Sequence, residues 1–558
     1  MPSVSDSVSG AASASPPQGS APQDLPAQIA AIQAGYAFSG GALEFGAAVK
    51  EGTAYPSAKV KIPLAVMNRH GLVAGATGTG KTKTLQLMAE QLSQGGVPVF
   101  LADVKGDLSG MATAGVSNDR ITARTSDIGE EWVGTAYPTE FYALGGQGKG
   151  IPIRASISSF GPTLLAKVLG LNETQESSLG LVFHYADAKG LWLDDLKDLR
   201  AVVQHLTSDE GKADLKDLGG LSSATAGVIL RELITFADQG ADVFFGLPEF
   251  ETSDLLRMAP DGRGLVSMLE LPAVQNRPQL FSTFLMWLLA DLFHDLPEVG
   301  DLDKPKLVFF FDEAHLLFTG ASKEFIQAIT QTVRLIRSKG VGIFFVTQSP
   351  KDVPADVLAQ LGNRVQHALR AFTPDDAKAL KAAVSTYPKS DYDLQELLTQ
   401  LGTGEAIITV LSEKGAPTPV AWTRMRAPQS LMAPSEAPVM DAIIASSTVA
   451  SKYAVSTDRE SAYEKLTAAK QSADAAAAAA AQAEADAAAA AAQAKADAAA
   501  QRSAGSSAAP RQGRAPKEPP TVVEQVVQSS VFKSMLRSAG TVIGREITRS
   551  IFGTSRRR

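Results

Sequence analysis

The chain has 558 residues, of which 45% are hydrophobic and 20% are charged, a balance typical of globular proteins with a water-exposed surface and not of polytopic membrane proteins. It contains no cysteine, which excludes disulfides, thiol nucleophiles, iron–sulfur clusters and cysteine-containing zinc sites. Its 52 Lys and Arg residues are outnumbered by 59 Asp and Glu residues, for a net charge of −7, so a chain coated in basic residues for nucleic acid is excluded, whereas a local basic channel is not.

Two segments of the sequence bear on whether the chain carries a signal peptide or a membrane-spanning helix. Residues 1–26 are rich in Ser, Ala and Pro, and this composition predicts a disordered tail. They have neither a basic start nor an apolar stretch, so they lack the features of a signal peptide. The most apolar window, Phe281–Phe293, is too short to span a bilayer and carries Asp291, which predicts a buried core helix. We therefore expect a cytoplasmic protein.

The middle of the chain shows the pattern of an α/β fold. Residues 27–157 contain short apolar runs separated by Gly and Pro, and residues 158–258 turn helical. In residues 259–427 short Val, Ile and Phe runs alternate with helical stretches. This alternation predicts a mainly parallel sheet with helices on both faces. The sheet would form from residues 27–157 and 259–427, with an α-helical insertion over 158–258.

The segment HGLVAGATGTGKTKTLQL contains a phosphate-loop (P-loop) pattern. Its glycines follow a short strand, Leu72–Ala74, and precede a helix, so backbone N–H groups and the positive helix end would face the phosphates. Lys81 would neutralise the outer phosphates, and the Thr82 hydroxyl is placed to hold Mg²⁺. No motif that reads the base separates ATP from GTP. We predict that ATP and Mg²⁺ bind through Gly75, Ala76, Thr77, Gly78, Thr79, Gly80, Lys81, Thr82 and Lys83.

The segment KLVFFFDEAH supplies the acidic partner of the phosphate loop. A strand, Leu307–Phe311, ends in two consecutive acids. Asp312 would hold Mg²⁺ through its water shell, and Glu313 would polarise the attacking water. The alternative is a strand followed by an acid that caps a helix. His315 is interpreted as incidental.

A third segment, VGIFFVTQSP, carries polar residues to the same edge of the sheet. The predicted strand Gly342–Val346 is followed by Thr347 and Gln348. A polar side chain at this position can sense the γ-phosphate and orient water, and Gln348 is the stronger candidate. The alternative is a polar cap between strand and loop.

The composition changes after residue 427. Residues 428–465 begin with PQSLMAPSEAP and predict a linker. In residues 471–500, 21 of 30 residues are Ala, which predicts a long helix in a low-complexity spacer over 466–520. Residues 521–558 predict a basic amphipathic helix. Three roles stay open for that helix: docking on this protein or a neighbouring subunit, binding an anionic membrane surface, or binding DNA.

Taken together, GATGTGKT, LADVKGDLSG, LVFFFDEAH, VRLIRSKGVGIFFVTQSP and DVLAQLGNRVQHALRAF resemble the HerA/FtsK group of P-loop motor ATPases. LNETQESSLGLVF, GRGLVSMLEL and the apolar helix make the chain similar to its bacterial HerA-like, YjgR-type branch, over about residues 35–425 and the basic C-terminus. The resemblance implies a RecA-like core, a ring-shaped and usually hexameric assembly, and translocation on DNA.

The resemblance also implies roles for residues outside the phosphate loop. Asp103, Lys105 and Asp107 follow the second strand and either position the nucleotide or water or cap the following helix. In this group an arginine can reach the ATP of a neighbouring subunit. The candidates are Arg337, which we favour, and Arg334, Arg364 and Arg370.

The sequence departs from the archaeal HerA pattern in two places. The stretch 27–62 is short, so we expect the small N-terminal barrel of those proteins to be absent or rudimentary. The helical insertion lengthens the distance between Gly75 and Asp312. Six basic residues against two acidic ones between 334 and 370 give a local charge of +4, which either lines a pore for DNA or covers a solvated loop.

The residues and the resemblance together predict a Mg-dependent ATPase. The first hypothesis is a ring-forming motor that acts on DNA as a helicase or translocase. The alternative is an ATP-switched oligomeric scaffold that does not move DNA.

Overall fold

The computed structural model describes residues 25–215, 218–300, 302–319 and 321–504. The chain divides into two compact units, residues 1–472 and residues 473–558. The predicted N-terminal tail, apart from Leu25 and Pro26, lies outside the described residues. The predicted amphipathic helix over 521–558 lies wholly outside them.

The first unit is built on one sheet. The described residues contribute twelve strands to this sheet, in the order β2-β1-β12-β11-β10-β3-β9-β8-β4-β7-β5-β6. The strands are β1 Ala42–Lys50, β2 Thr53–Pro63, β3 Gly71–Ala74, β4 Val99–Asp103, β5 Thr139–Leu144, β6 Ile151–Ile153, β7 Val266–Glu270, β8 Leu307–Phe311, β9 Val341–Thr347, β10 Asn363–Gln366, β11 Glu405–Thr409 and β12 Ala421–Met425.

The larger part of this sheet is parallel. From β10 through β3, β9, β8, β4, β7 and β5 to β6, each strand runs parallel to its neighbour. On the other side of β10, the strands β11, β12, β1 and β2 add an antiparallel extension. The predicted α/β fold with a mainly parallel sheet is confirmed. The extension was not predicted. In it, residues 42–63 form a hairpin, because the tight turn at Glu51 and Gly52 permits only antiparallel pairing.

The alternation of side chains along β8 explains why helices cover both faces of the sheet. Leu307, Phe309 and Phe311 belong to one hydrophobic core, whereas Val308 and Phe310 belong to the other. Successive residues of a strand point to opposite faces, so a strand that is apolar at every position requires burial on both sides. The apolar run in the sequence therefore placed this strand in the middle of the sheet.

Helices of the first unit surround the sheet. They are α1 Ala27–Gly35, α2 Lys81–Gln94, α3 Asp119–Asp127, α4 Ile157–Phe160, α5 Pro162–Val168, α6 Glu173–Ala188, α7 Leu196–Thr207, α8 Asp209–Asp214, α9 Ser223–Asp238, α10 Pro278–Asp295, α11 His315–Phe318, α12 Lys323–Ile336, α13 Ala355–Leu358, α14 Pro374–Val384, α15 Leu394–Gln400, α16 Ala437–Ser446 and α17 Ala450–Tyr453. The helix predicted over Phe281–Phe293 corresponds to α10, whose Trp287 and Leu288 are buried.

The stretch predicted as a helical insertion contains α4 to α9. All of these helices except α5, which begins with Pro162 after Gly161, begin at polar caps that satisfy the first free backbone N–H groups. Asn172 and Asp195 form capping boxes at α6 and α7, and the Ser222 side chain accepts from Thr225 N at α9. The helical pattern is thus confirmed, while the boundaries of the insertion as a domain stay predictions.

Residues 428–465, predicted as a linker, lie instead against the rest of the first unit. Ser430 N donates to Glu90 Oε1 at 2.9 Å, and the Ser435 hydroxyl donates to Ser109 O at 2.8 Å. Ser430 and Tyr453 are buried. The Pro and Ser content suggested a free segment, but these serines satisfy polar groups of the fold.

The last described helix, α18, spans Ala462–Ala504. This confirms the prediction of a long helix in the alanine-rich segment. Within the second unit, residues 473–502 of this helix are exposed at every position. No helix of the described residues is both long enough and apolar enough to cross a membrane.

Candidate active site

The phosphate loop lies between the end of β3 and the start of α2, as the sequence predicts. Gly75, Gly78 and Gly80 have φ angles of 156°, 78° and 117°, which residues with a side chain rarely adopt. A Cβ atom at Gly75 would lie 2.5 Å from His367 Cβ. Glycine at these positions therefore permits both the curvature of the loop and its close packing on neighbouring strands.

Backbone contacts from three other segments hold the loop. Gly75 N donates to Thr347 O at 3.2 Å, and Ala76 N donates to Ala368 O at 2.7 Å. Thr79 O accepts from Gly404 N at 3.0 Å. The loop is thus preorganised by the last residue of β9, by the segment that follows β10 and by the residue that precedes β11.

His367 lies beneath this loop and was not identified from the sequence. It is fully buried, its Nε2 is 2.8 Å from Thr84 Oγ1 in α2, and its Nδ1 is 2.8 Å from Glu405 O. Because a carbonyl only accepts, Nδ1 carries the proton and Nε2 accepts from the Thr84 hydroxyl. Burial lowers the pKa of His367 to about 4, so the ring is neutral. The signal in the sequence that could have identified His367 is its position as a polar residue directly after a predicted strand.

Lys81 is buried at the start of α2, with 8% of its surface exposed. Its Nζ donates to Ala76 O, 3.1 Å away within the same loop. Burial lowers the pKa of the Lys81 ammonium, while the carboxylates of Glu313 and Asp312 act in the opposite direction. The lysine therefore lies inside the curl of the loop and within the field of both acids.

The other residues of the loop differ in their surroundings. Thr79 Oγ1 donates to Ala76 O at 2.7 Å and so closes the turn. Ala76 and Thr77 line an open cleft, and Thr82 is half-buried in the first turn of α2. Lys83 Nζ donates to Gln86 Oε1 at 3.0 Å along the helix.

Asp312 and Glu313 follow β8, and each is 5% exposed. One strand, β9, separates β8 from β3, so the two acids and the phosphate loop meet at the carboxyl edge of the parallel strands. Burial, reinforced by the charges of Glu313 and Asp103, raises the pKa of Asp312 to about 7. Asp312 Oδ1 accepts from Glu313 N at 2.9 Å, whereas Oδ2 is buried without a hydrogen-bond partner.

Glu313 is held by a residue from another strand end. Its Oε1 accepts a hydrogen bond from Lys105 Nζ, and its Oε2 lies 3.2 Å from His315 Nδ1 without a hydrogen bond. Burial opposes ionisation of Glu313, but the hydrogen bond and charge of Lys105 outweigh it, and the pKa stays below its usual value. Glu313 is thus an ionised carboxylate with one oxygen that accepts no hydrogen bond.

Asp103, Lys105 and Asp107, at and after the end of β4, differ in their contacts. The sequence left open whether they position the nucleotide or water or cap the following helix. Asp103 Oδ1 accepts from Lys105 N and Gly106 N at 3.1 and 2.7 Å, and Oδ2 accepts from Leu108 N at 2.8 Å. Asp103 therefore shapes the turn. Lys105 reaches Glu313, and Asp107 Oδ1 is buried without a partner.

Thr347 is the last residue of β9 and Gln348 follows it, and their side chains lie in different environments. The Thr347 hydroxyl donates to Asp352 Oδ2 at 2.9 Å and is buried, which corresponds to the polar cap. Gln348 is exposed and lines a cleft of about 570 Å³ together with Ala76, Thr77, His315 and Arg370. Gln348 therefore faces the open side of the phosphate loop.

The candidate arginines lie at different edges of the sheet. Arg337 is exposed just before β9, and its carbonyl accepts from Asn68 Nδ2 at 3.4 Å near the start of β3. Since β3 and β9 are parallel, this is the edge opposite the phosphate loop. Arg370 lines the cleft beside the loop. Arg337 thus lies away from the site of its own chain, and its role toward a neighbour stays a prediction.

The remaining basic residues follow the same division. Arg334 lies near the end of α12, beside the edge that carries Arg337, whereas Lys351 lines the cleft. Arg364 donates to Thr386 Oγ1 from within β10. Arg334 and Arg337 thus lie at the edge opposite the phosphate loop, and Lys351 and Arg370 lie beside the loop, so the basic residues considered as one pore surface do not share one edge.

The residues present fit a Mg²⁺ ion that is bound together with phosphates. The buried Asp312 Oδ2 without a partner is an acceptor that such an ion or its water would satisfy. Among the described residues no group of three or more His, Cys, Asp or Glu side chains is arranged to hold a metal by itself. Mg²⁺ usually binds through one or two carboxylates plus substrate phosphates, which is consistent with this arrangement.

Relatives of the chain include archaeal helicases. It is 22% identical over 361 residues to the DNA double-strand break repair helicase HerA of Sulfurisphaera tokodaii, a match that covers 63% of this chain and 64% of the relative. It is 34% identical over 117 residues to a probable helicase of Methanocaldococcus jannaschii, which covers 21% of each. The chain thus spans somewhat less than two thirds of the length of the HerA relative.

Solved structures similar to this chain include a plasmid coupling protein and VirB4. The plasmid coupling protein TrwB in complex with an ATP analogue has a TM-score of 0.46 at 16% identity, over 71% of this chain and 97% of that one. VirB4 of Thermoanaerobacter pseudethanolicus has a TM-score of 0.44 at 14% identity, over 70% and 97%.

The family assignment rests on a longer match. The profile of the family described as "Helicase HerA-like C-terminal" matches residues 49–558, which is most of the chain. The resemblance inferred from the motifs is thereby confirmed, and this chain belongs to the helicase HerA-like C-terminal family.

Proposed function

We propose that this protein hydrolyses ATP with Mg²⁺ and acts as a motor on DNA. The observation that carries the proposal is the meeting of the phosphate loop with two buried acids. Asp312 and Glu313 follow β8, and Gln348 follows β9, the strand that separates β8 from β3. The phosphate loop, the two acids and the glutamine are the kinds of group that cleavage of a terminal phosphate by water requires.

The phosphate loop binds the triphosphate. The backbone N–H groups of the curled loop and the N-terminus of α2 attract the phosphate oxygens. Lys81 exchanges its contact with Ala76 O for a contact with the outer phosphates, where its charge stabilises the negative charge of the transition state.

Thr82 and Asp312 would hold Mg²⁺, which when bound neutralises charge on the outer phosphates. The unpartnered Oδ2 of Asp312 supports this assignment. Burial, together with the charges of neighbouring acids, raises the pKa of Asp312.

Glu313 acts on the attacking water. Its free Oε2 accepts a hydrogen bond from water and takes the proton as the water oxygen bonds to the γ-phosphorus. The bond between that phosphorus and the oxygen bridging to the β-phosphate breaks at the same time, and ADP and phosphate result. Gln348 orients the water and the γ-phosphate from the cleft.

The proposal extends to a ring on DNA. The relative from Sulfurisphaera tokodaii is named a DNA repair helicase, which supports DNA as the partner. In a hexameric ring, Arg337 of one subunit would complete the site of the next, because it lies at the edge opposite its own phosphate loop. The cytoplasmic location stays a prediction.

The test is ATP turnover by the full-length protein with Mg²⁺, alone and with single- or double-stranded DNA. We expect turnover that chelation of Mg²⁺ abolishes and that DNA stimulates, with a Lys81→Met variant as the control for contaminating ATPases. Mass photometry with a non-hydrolysable ATP analogue should show a hexamer. Turnover that no DNA changes would favour the ATP-switched scaffold, and the absence of any turnover would contradict both functions.

A further inference from the structure

Lys105 is the one described cation that donates a hydrogen bond to Glu313. Its side chain is 47% exposed, whereas that of Glu313 is 6% exposed. The ion pair therefore joins a half-exposed ammonium to a buried carboxylate. Such a lysine is not required to fill the core, so its contact with the predicted base calls for a reason other than packing.

Hydrogen bonds from the turn to one buried side chain hold the backbone of Lys105. The buried side chain of Asp103 accepts hydrogen bonds from the N–H groups of Lys105, Gly106 and Leu108. Gly106 has a φ of 75°, which completes the turn. The turn therefore presents the Lys105 side chain from the end of β4 to the end of the adjacent strand β8.

The contact leaves Glu313 with one occupied and one free oxygen. Lys105 occupies Oε1, while Oε2 is buried and accepts no hydrogen bond, although His315 Nδ1 lies 3.2 Å away. The backbone of Glu313 adopts a φ of 49°, a conformation that is uncommon for residues other than glycine. A buried acceptor without a partner is costly, so its persistence here points to a ligand that fills the position.

We propose that Lys105 is a positioning residue for hydrolysis: it holds Glu313 by Oε1 so that Oε2 faces the attacking water. This inference rests on the proposed ATPase function. Lys105 contacts neither the water nor the phosphates in this role and acts only through Glu313. Its charge also offsets the repulsion between the adjacent carboxylates of Asp312 and Glu313.

The experiment compares Lys105→Met and Lys105→Arg with the wild type in the full-length protein. A methionine keeps the length of the side chain and removes the donor, whereas arginine can still donate to Oε1. We expect Lys105→Met to lower kcat about 10- to 100-fold with KM for ATP changed less than about twofold, since loss of alignment slows the chemical step. Lys105→Arg should recover most of the loss.

Two controls separate positioning from a general effect. Lys149→Met removes a lysine of matched exposure, 46%, that pairs with Asp441 outside the site, and it should leave kcat unchanged. In a Glu313→Gln background, Lys105→Met should cause less than a twofold further loss, because the residue through which it acts is already changed.

The outcomes are distinct. An unchanged or raised kcat in Lys105→Met, while the wild type hydrolyses ATP, would overturn this inference and leave the proposed function intact. Equal losses from Lys105→Met with and without Glu313→Gln would also overturn it. If the wild type itself binds no ATP in a titration with a fluorescent analogue, the proposed function fails first.

Discussion

The sheet edge that carries the phosphate loop and the alanine-rich helix α18 are stabilised in opposite ways. At the edge, Lys81, Asp312 and Glu313 are buried, each at 8% exposure or less. In the helix, residues 473–502 are exposed at every position. The edge depends on contacts between segments far apart in sequence, whereas the helix depends on the local preference of alanine. Changing a single side-chain atom at the edge should therefore have a large effect on turnover. Deleting tens of residues from the helix should have a small effect on turnover and on stability.

The largest expected effect is the loss of turnover in Glu313→Gln. The amide cannot accept the proton of the attacking water, so kcat should fall by about 10²- to 10⁴-fold. ATP binding should be retained, because the phosphate loop and Asp312 are unchanged. Single-turnover kinetics and a nucleotide titration measure the two effects separately.

A matched control for this change is Glu324→Gln, which alters an exposed glutamate at the start of α12. It should hydrolyse ATP at the wild-type rate. Turnover by Glu313→Gln close to that of this control would contradict the assignment of Glu313 as the base.

The next largest effect is expected at His367, which supports the phosphate loop from below. His367→Ala removes the acceptor of Thr84 and leaves a cavity against Gly75, so the free energy of unfolding should fall by about 2–4 kcal/mol. ATP affinity should also fall, on the order of tenfold, because the loop loses its preorganised shape. Urea unfolding and nucleotide titration measure these changes.

The control for this variant is His294→Ala, since the side chain of His294 is 89% exposed. It should unfold and bind ATP as the wild type does. A His367→Ala protein that loses stability but binds ATP with unchanged affinity would show that His367 supports the fold and not the loop.

These two sites also show how far the sequence could predict the molecule. Glu313 was predicted because a strand, an acid pair and a phosphate loop are local patterns that place chemistry at one edge of a parallel sheet. The bounds predicted for its strand, Leu307–Phe311, agree with β8. His367 was missed because its role depends on the pairing of β10 with β3, which brings together residues 283 positions apart.

The same reason accounts for the other differences. The local composition of 428–465 suggested a linker, because no single-sequence pattern shows that Glu90 accepts from Ser430. The antiparallel extension of the sheet depends on the pairing of β1 with β12, at opposite ends of the first unit. Lys105 was singled out from the sequence, but its contact with Glu313 follows from the adjacency of β4 and β8.

A third prediction concerns the pH dependence contributed by Glu270 at the end of β7. Burial, with the charges of Asp103 and Asp107, raises the pKa of Glu270 to about 8. The folded state therefore binds this proton more tightly than the unfolded state, so the contribution to stability is present below about pH 4.5 and is lost as pH rises to about 8. Glu270→Gln removes that loss.

The measurement is the difference in unfolding free energy between Glu270→Gln and the wild type at pH 5 and pH 9. The variant should gain about 4 kcal/mol relative to the wild type between these values. A constant difference across the range would show that Glu270 ionises at its ordinary pKa, and that the edge tolerates a charge there without a partner.

The smallest effect is expected from the largest change, deletion of residues 473–504. The deletion begins after Ser472, because Leu466 of the same helix packs against the core and must be kept. If the exposed part of α18 is only a spacer, kcat should stay within twofold of the wild type, and the free energy of unfolding should change by less than about 0.5 kcal/mol.

The matched variant is Leu466→Ala, which truncates one partly buried side chain in the same helix. It should lower the free energy of unfolding by about 1–2 kcal/mol. This is more than the deletion should cost, because Leu466 contacts the core, whereas residues 473–502 are exposed. A strong loss of turnover in the deletion would mean that the alanine-rich turns transmit or receive force in the assembled protein. Their uniform exposure would then mark a surface for a partner and not a spacer, since a helix without buried contacts can affect catalysis only through what binds to it.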